Sequence, residues 1–251
     1  FTQWVAWQGF DRLWWLAPPM LVLLLAAYGL TGVMRMDIHQ PLPEPADAPA
    51  IRLPFLPLLA MGSLLAIGNT LLFTYLGMHL STFMHENAAT RWSGLSLGIV
   101  SLGGAAASYL WGAWSRHFGT LRLTAAGQLL SAATLCWLLN AKTPAEIAGY
   151  SVLAGLFSGG SFFPLIATLG RRAAGFTPGL RAGLSIGGAW FIGSLGVAAA
   201  AALMKVGITV TQVISAIVPL ALLNAVYAFT LHLALARRGA NALSPQVESD
   251  V

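Results

Sequence analysis

Two short stretches of the chain place a serine between glycines in the pattern Gly-x-Ser-x-Gly, GLSLG over residues 94–98 and GLSIG over residues 183–187. In some hydrolases this pattern holds a nucleophilic serine on a sharp turn between a strand and a helix. Such a serine also needs a base within hydrogen-bond reach. The sequence places no histidine at the depth of either serine; the five histidines are His39, His79, His85, His117 and His232. Serine hydrolysis is therefore an alternative and not the main prediction.

A second role for these glycines follows from their spacing. Glycines four residues apart lie on one face of a helix, where the missing side chains let another backbone approach closely. We therefore predict packing grooves at Gly94 and Gly98 in one helix and at Gly183 and Gly187 in another. Both helices continue with small residues, namely Gly103, Gly104, Ala107 and Gly112 in the first and Gly188, Gly193, Gly196 and Ala200 in the second.

The composition excludes a water-soluble fold. Of the 251 residues, 57% are hydrophobic and only 8% are charged, against about 25% charged in a typical soluble domain. So few charges cannot cover the surface of a soluble protein of this size. The sequence therefore predicts an all-α integral membrane protein. Its single cysteine, Cys136, provides neither a disulfide framework nor a cysteine metal site.

Seven stretches contain the roughly 20 mainly apolar residues that a helix needs to cross the hydrocarbon core. These spans cover residues 13–34, 53–82, 93–115, 121–141, 145–170, 182–205 and 209–236. The positive-inside rule assigns the side richer in Lys and Arg to the cytoplasm. That side receives nine arginines, and the other receives Arg12, Arg91, Lys142 and Lys205. The C-terminus is then cytoplasmic and residue 1 is external.

The segments differ in character along the chain. Residues 1–34 form an external start and the first span, and an external start with an odd number of spans leads us to expect further helices upstream. Residues 35–52 form a cytoplasmic linker whose four prolines between positions 41 and 49 forbid helix. Residues 53–238 form a six-helix bundle. The polar residues 239–251 are expected to be a disordered cytoplasmic tail.

The last six spans repeat as two groups of three. The second and fifth spans, the third and sixth, and the fourth and seventh begin roughly ninety residues apart. The GLSLG helix begins on the outer side and the GLSIG helix on the cytoplasmic side, so the two triplets are inverted. Inverted three-helix repeats related by an axis in the membrane plane occur in secondary transporters. The sequence thus predicts two inverted three-helix repeats.

The stretch GAWSRHFGTLR, residues 112–122, resembles the cytoplasmic signature G-x-x-x-D-R-x-G-R-x-R that joins helices eight and nine in the major facilitator superfamily of transporters. Gly112, Gly119 and Arg122 match it, whereas Arg116 and His117 stand where the signature has its acidic residue and an arginine. We expect Gly112 to let helices approach and Gly119 to permit a tight turn. Arg116 and Arg122 are expected to anchor the cytoplasmic face.

Residues 161–183 are also similar to the family's crossing from helix ten to helix eleven, including the arginine pair after the membrane exit. The resemblance covers essentially the whole chain and implies helices six to twelve of a twelve-helix protein in the inner membrane. It implies lipid and the N-terminal half of the same transporter as partners, a small-molecule solute, and no nucleic acid or cofactor. The drug and metabolite efflux branches, including the fosmidomycin-resistance-like one, imply proton-coupled efflux of a weakly polar organic solute by alternating access.

The resemblance further implies that the second and fifth spans line the solute cavity. On the second span, helical spacing puts Thr70 and Gly77 on one stripe with Ser63 and Ser81, and Asn69 and Phe73 beside it. On the fifth span, the corresponding stripe contains Ser151, Gly155, Ser158, Ser161 and Phe162. Hydrogen bonds between helices are the alternative role for these polar residues. Pro164, after Gly159 and Gly160, is expected to hinge the fifth span.

Tyr75 and His79 point to a different face of the second span. They are candidates for an outer gate or for coupling, and snorkelling toward the headgroups is the alternative that we favour. Gln128, Trp190 and Asn224 are expected to be packing or gate residues. No Asp or Glu lies well inside a span, so no carboxylate relay is visible, and no metal site is predicted. A membrane-embedded serine hydrolase and a non-transporting membrane anchor remain the alternative functions.

Overall fold

The computed structural model of the chain describes residues 55–161 and 183–243, and every regular element in these two ranges is a helix. Four predictions lie outside the described residues. They concern the first span, the linker up to residue 52, the end of the fifth span with Phe162 and Pro164, and the last part of the tail. All described residues belong to one compact unit.

The helices are numbered α1 to α7 along the chain. Helix α1 covers Phe55–Leu80, α2 covers Glu86–Phe118 and α3 covers Thr120–Asn140. Helix α4 covers Pro144–Ala154 and continues into a π-helical turn at Gly155–Gly159. A second π-helical turn at Leu184–Gly188 leads into α5, Ala189–Lys205. Helices α6 and α7 cover Val210–Ser215 and Ile217–Leu243.

Five helices of the described part are long and apolar enough to cross a membrane. They are Phe55–Leu80, Glu86–Ser115, Thr120–Asn140, Ile186–Lys205 and Val210–Ala236. Each coincides with one of the predicted spans. The fold of the described residues is therefore compatible with an all-helical, multi-pass membrane protein.

Two helix limits differ from the prediction at the N-terminus of α2 and the C-terminus of α7. Helix α2 begins at Glu86, seven residues before the predicted limit at residue 93. Residues 86–92 are too polar for hydropathy to assign them to a membrane span. The helix nevertheless includes them, because helical backbone hydrogen bonds such as Ala89 N–H to the His85 carbonyl form there without apolar side chains. Helix α7 extends to Leu243, into the segment predicted to be disordered.

The predicted seventh span is interrupted at Ala216, between α6 and α7. Pro219 has no backbone N–H, so it cannot donate to the Ser215 carbonyl four residues earlier, and its ring crowds that carbonyl. The Leu220 N–H still donates to the Ala216 carbonyl. The interruption is therefore one turn long and leaves the two helices in sequence.

Short connections fix the ends of the helices. Gly119 joins α2 to α3 with φ of 81°, in the left-handed region that favours glycine, so the tight turn predicted there is present. At the start of α4, Thr143 and Glu146 form a capping box in which side chain and backbone bond reciprocally. Thr209 and Gln212 form the same motif at the start of α6.

Each of the first three helices packs along one helix from the second half of the described chain. Helix α1 packs along α5, α2 packs along α4 and its π-turn, and α3 packs along α7. Helix α1 also contacts α7, and α3 also contacts α4. The larger buried cluster joins α1 to α3, α4, α6 and the start of α7 and includes Leu76, Leu138, Ile147, Ile214 and Ile217.

Glycine contacts locate the closest approaches between helices. A methyl group added at Gly155 would lie 2.7 Å from the Val100 carbonyl oxygen, and one at Gly193 would lie 2.9 Å from the Ala66 carbonyl oxygen. Among the small residues predicted to continue the grooves, Gly104, Gly193 and Gly196 lie at such close approaches. At three glycines of the Gly-x-Ser-x-Gly motifs, Gly98, Gly183 and Gly187, no neighbouring described residue lies within 4 Å of an added methyl group, so the packing groove stays a prediction there.

Candidate functional site

Thr70, a predicted cavity residue, lies at the crossing of α1 and α5. Its hydroxyl is 2.9 Å from the Gly193 carbonyl on α5 and 2.9 Å from the Ala66 carbonyl on its own helix. A hydroxyl has one proton, and here backbone acceptors surround it. Thr70 therefore holds two helices together, which is the alternative role that the sequence left open.

Other members of the α1 stripe are also used by packing. A methyl group at Gly77 would lie 3.2 Å from the Ser93 hydroxyl oxygen on α2, so this glycine makes room for α2. Ser63 is buried and donates to the Leu59 carbonyl at 2.7 Å. Ser81 is exposed and donates to the Met78 carbonyl at 2.8 Å. The hydroxyls on this stripe thus bond to nearby backbone.

Asn69 and Phe73 differ from their neighbours on α1. Asn69 is partly buried, and its amide makes no hydrogen bond with another described residue. Phe73 is 43% exposed. A polar amide and an aromatic ring one turn apart on the same helix therefore remain accessible. They are the predicted cavity residues on α1 that no hydrogen bond or buried cluster of the described residues includes.

Tyr75 and His79 are both only 4% exposed, so the snorkelling interpretation is wrong for them. The Tyr75 hydroxyl donates to the Val197 carbonyl on α5 at 3.3 Å. His79 Nε2 lies 2.9 Å from the Leu139 carbonyl, and Nδ1 lies 3.3 Å from the Thr211 hydroxyl. Because a carbonyl only accepts, Nε2 carries the proton. His79 therefore links α1 to α3 and α6 near the proposed outer surface.

Ser151, predicted on the α4 stripe, bonds to the serine of the first Gly-x-Ser-x-Gly motif. The Ser96 and Ser151 hydroxyl oxygens are 2.5 Å apart, and both residues are fully buried. Ser151 donates its proton to the Ile147 carbonyl at 2.6 Å, so Ser96 donates to Ser151. Ser96 is thus oriented by a second serine, whereas a nucleophile of the predicted kind needs a base. The Ser185 side chain lies outside the description.

Ser158 and Ser161 are 5% and 1% exposed. The Ser161 hydroxyl donates to the Phe157 carbonyl at 2.5 Å. A methyl group at Gly127 on α3 would lie 2.9 Å from Ser161 Cβ. The serines of α4 therefore face neighbouring helices in this conformation. Phe162 lies outside the described residues.

Trp111 on α2 was not predicted, although it has the most specific contact with the α4 turn. Its indole Nε1 donates to the Leu156 carbonyl at 2.7 Å. Its ring packs edge-on against Phe157, with the ring centres 6.4 Å apart. The stripe formed by Val100, Gly104, Ala107 and Trp111, at helical spacing, was the available signal.

Helices α3 and α7 each contain one buried amide side chain. Gln128 is 1% exposed and Asn224 is fully buried. Among the described residues, Gln128 Oε1 and both polar atoms of the Asn224 amide have no hydrogen-bond partner. Burying such groups is costly. The predicted packing role for these two residues accounts for their burial but not for their unpaired atoms.

The cytoplasmic loop signature is only partly described. The Gly112 carbonyl accepts a hydrogen bond from the Ser115 hydroxyl at 2.7 Å. Arg122 Nε donates to His232 Nε2 on α7 at 2.7 Å, so this arginine ties α3 to the last helix. The Arg116 side chain lies outside the description.

Two further searches, one for grouped metal ligands among the described residues and one for known relatives, gave no result. Within residues 55–161 and 183–243, no three His, Cys, Asp or Glu side chains are grouped closely enough to hold a metal ion. Comparison of the chain with family models, with curated proteins and with solved structures found no match.

Proposed function

We propose that this chain is the C-terminal half of a secondary active transporter of the major facilitator type. With an N-terminal half, it moves a small, weakly polar organic solute across the cell membrane by alternating access. The all-helical fold and its five apolar helices support a membrane location. The resemblance of residues 112–122 to the family's loop signature supports the family.

The observation that carries the proposal is a pair of matching helix crossings. Thr70 on α1 contacts Gly193 on α5, and Gly159 after α4 contacts Gly104 on α2. Gly159 follows Thr70 by 89 positions, and Gly193 follows Gly104 by 89 positions. Exchanging the two triplets therefore turns one crossing into the other. This is the pattern expected of two repeats related by a two-fold axis.

The number of helices in each repeat supports inversion. If α1, α2 and α3 each cross the membrane, three crossings bring the chain to the opposite side, and α4 enters from the side opposite to α1. The two repeats are then inverted, as in many secondary transporters that work by alternating access. The pairing of α3 with α7 completes the pattern, because each is the last helix of its triplet.

The chemistry on α1 supports a weakly polar solute. Asn69 offers one amide and Phe73 one aromatic face, while the neighbouring hydroxyls are bonded to backbone. No Asp, Glu, Lys or Arg lies in α1. A strongly charged solute would need an opposite charge in this low-dielectric region. The efflux direction and proton coupling come from the family resemblance alone.

A flux assay on the complete transporter tests the proposal. Proteoliposomes loaded with a neutral amphipathic fluorescent dye should lose it faster when a pH gradient is imposed. Asn69→Ala should raise the KM for the dye with a smaller effect on kcat, because it removes a binding contact. The matched control is Asn140→Ala, since Asn140 is exposed and bonds to the Cys136 carbonyl on its own helix.

The outcomes separate the function from the site. If the complete protein moves none of a panel of neutral and amphipathic dyes, the transport proposal is contradicted. If flux occurs and Asn69→Ala behaves like Asn140→Ala, transport stands and the solute site on α1 is wrong.

A further inference from the structure

The turn after α4 is π-helical, and its backbone bonding differs from that of the helix before it. The Gly160 N–H donates to the Gly155 carbonyl, five residues earlier. In an α-helix the same N–H would donate to the carbonyl of Leu156, four residues earlier. In the π-turn the Leu156 carbonyl therefore lacks the hydrogen bond that the Gly160 N–H would donate to it in an α-helix.

Trp111 supplies a replacement donor from α2. Its indole N–H donates to the Leu156 carbonyl at 2.7 Å, and the residue is 4% exposed. A buried indole N–H normally has an acceptor, and losing it is costly. The Trp111–Leu156 hydrogen bond therefore favours the π-turn, because it satisfies a carbonyl that has lost the Gly160 N–H donor, whereas in an α-turn that N–H already satisfies it.

The turn and α2 face each other mainly through small residues, with the Trp111 ring beside Gly160. A methyl group at Gly159 would lie 3.0 Å from Gly104 Cα, and one at Gly160 would lie 2.6 Å from Ala107 Cβ. Backbone therefore faces backbone at Gly104 and Gly159, whereas Gly160 faces the Ala107 methyl group and the Trp111 ring. A change in the turn meets no interlocked side chain at Gly104 or Gly159.

We infer that the turn at 155–160 is a hinge with two hydrogen-bonded states, and that Trp111 selects between them. In one state the turn is π-helical and Trp111 holds the Leu156 carbonyl. In the other the turn is α-helical, Gly160 donates to Leu156, and the Trp111 indole is no longer needed to satisfy that carbonyl and is released. This inference rests on the proposed function, because it makes the hinge the element that moves during alternating access.

The two states place Ser161 differently. A π-turn contains about one residue more than an α-turn, so conversion rotates Ser161, directly after it, about the helix axis. Ser161 is 1% exposed and lies against Gly127 on α3 in the π-helical state. In the α-helical state it turns away from Gly127. A bistable element of this kind converts a local bond change into a shift of a helix face.

Cysteine labelling of the complete transporter tests the inference. In a Cys136→Ser background, Ser161→Cys should react slowly with a small maleimide because the position is buried. Adding Trp111→Phe removes the N–H donor and keeps a ring, so labelling should become at least tenfold faster. The matched control is Trp114→Phe, which alters a 46% exposed ring whose centre is 6.0 Å from that of Trp111. Equal rates in the two variants would overturn the inference.

A second measurement needs no substitution. Hydrogen–deuterium exchange, corrected for intrinsic rates, should show amides 155–161 at least tenfold less protected than amides 147–154 of the same helix. Equal protection would contradict a two-state turn. Neither measurement requires solute movement. A failure here leaves transport standing, whereas a chain that labels as expected but moves no dye contradicts only the proposed function.

Discussion

The crossing of α1 with α5 and the crossing of α2 with α4 bring helices together by different means. At the first, Thr70 bonds to the Gly193 carbonyl, and α1 is regular throughout. At the second, Gly159 replaces threonine at the matching position, and the helix contains a π-turn capped by Trp111. Both crossings contain glycines and a helix with a π-turn, but a threonine hydroxyl bonds across the first, whereas Gly159 and Gly104 face each other at the second. We expect α1 with α5 to be the stiffer pair.

The largest effect is expected from filling the second crossing. Gly155→Ala would put a methyl group 2.7 Å from the Val100 carbonyl oxygen, and a backbone atom cannot move aside easily. The free energy of unfolding in detergent should fall by about 2–3 kcal/mol, as in other overpacked interiors. Gly149→Ala on the same helix is the control, because no described atom lies within 4 Å of its added methyl group. Its stability should hold or rise. Equal behaviour of the two variants would show that α2 and α4 are not in close contact.

A smaller loss is expected at the first crossing. Gly193→Ala would place its methyl group 2.9 Å from the Ala66 carbonyl oxygen. We expect a loss of about 1–2 kcal/mol, measured by the same unfolding titration. Gly187→Ala, at an exposed position with no described atom within 4 Å, is the control. If Gly193→Ala leaves the free energy of unfolding unchanged, the α1–α5 contact is looser than the α2–α4 contact.

The hydroxyl of Thr70 should make the next smaller contribution. Thr70→Val keeps the shape of the side chain and removes the hydrogen bond to Gly193, so stability should fall by about 1 kcal/mol. Thr70→Ser keeps the hydroxyl and should recover most of that loss. If serine and valine destabilise equally, packing and not the hydrogen bond holds α1 to α5.

The sequence was sufficient to predict most helices and less informative about their contacts. Apolar runs of about 20 residues located α1, α3 and α5 to within a few residues, because hydrophobic length is a property of the segment itself. The sequence alone could not distinguish the glycines that contact a neighbouring helix from Gly98 and Gly187, because a spacing of four residues occurs on exposed and buried helix faces alike. The π-turn and its Trp111 cap depend on hydrogen bonds that no sequence period reports.

The candidate site shows the same limit. Spacing placed Asn69 and Thr70 near one stripe of a single helix, but only the neighbouring helix decides which of them is free. The Gly193 carbonyl accepts a hydrogen bond from the Thr70 hydroxyl, whereas Asn69 stays partly exposed. Burial of Tyr75 and His79 likewise depends on α5, α3 and α6, which the sequence of α1 alone does not specify.

The most direct test of the account asks on which side of the membrane each repeat begins its second helix. Single cysteines would replace Asn87, before the GLSLG motif, and Thr177, before the GLSIG motif, in a Cys136→Ser background. An impermeant maleimide applied to intact cells should label Asn87→Cys from outside and Thr177→Cys only after the membrane is opened. Labelling of both positions from the same side would contradict the inverted repeat, and with it the proposed transporter.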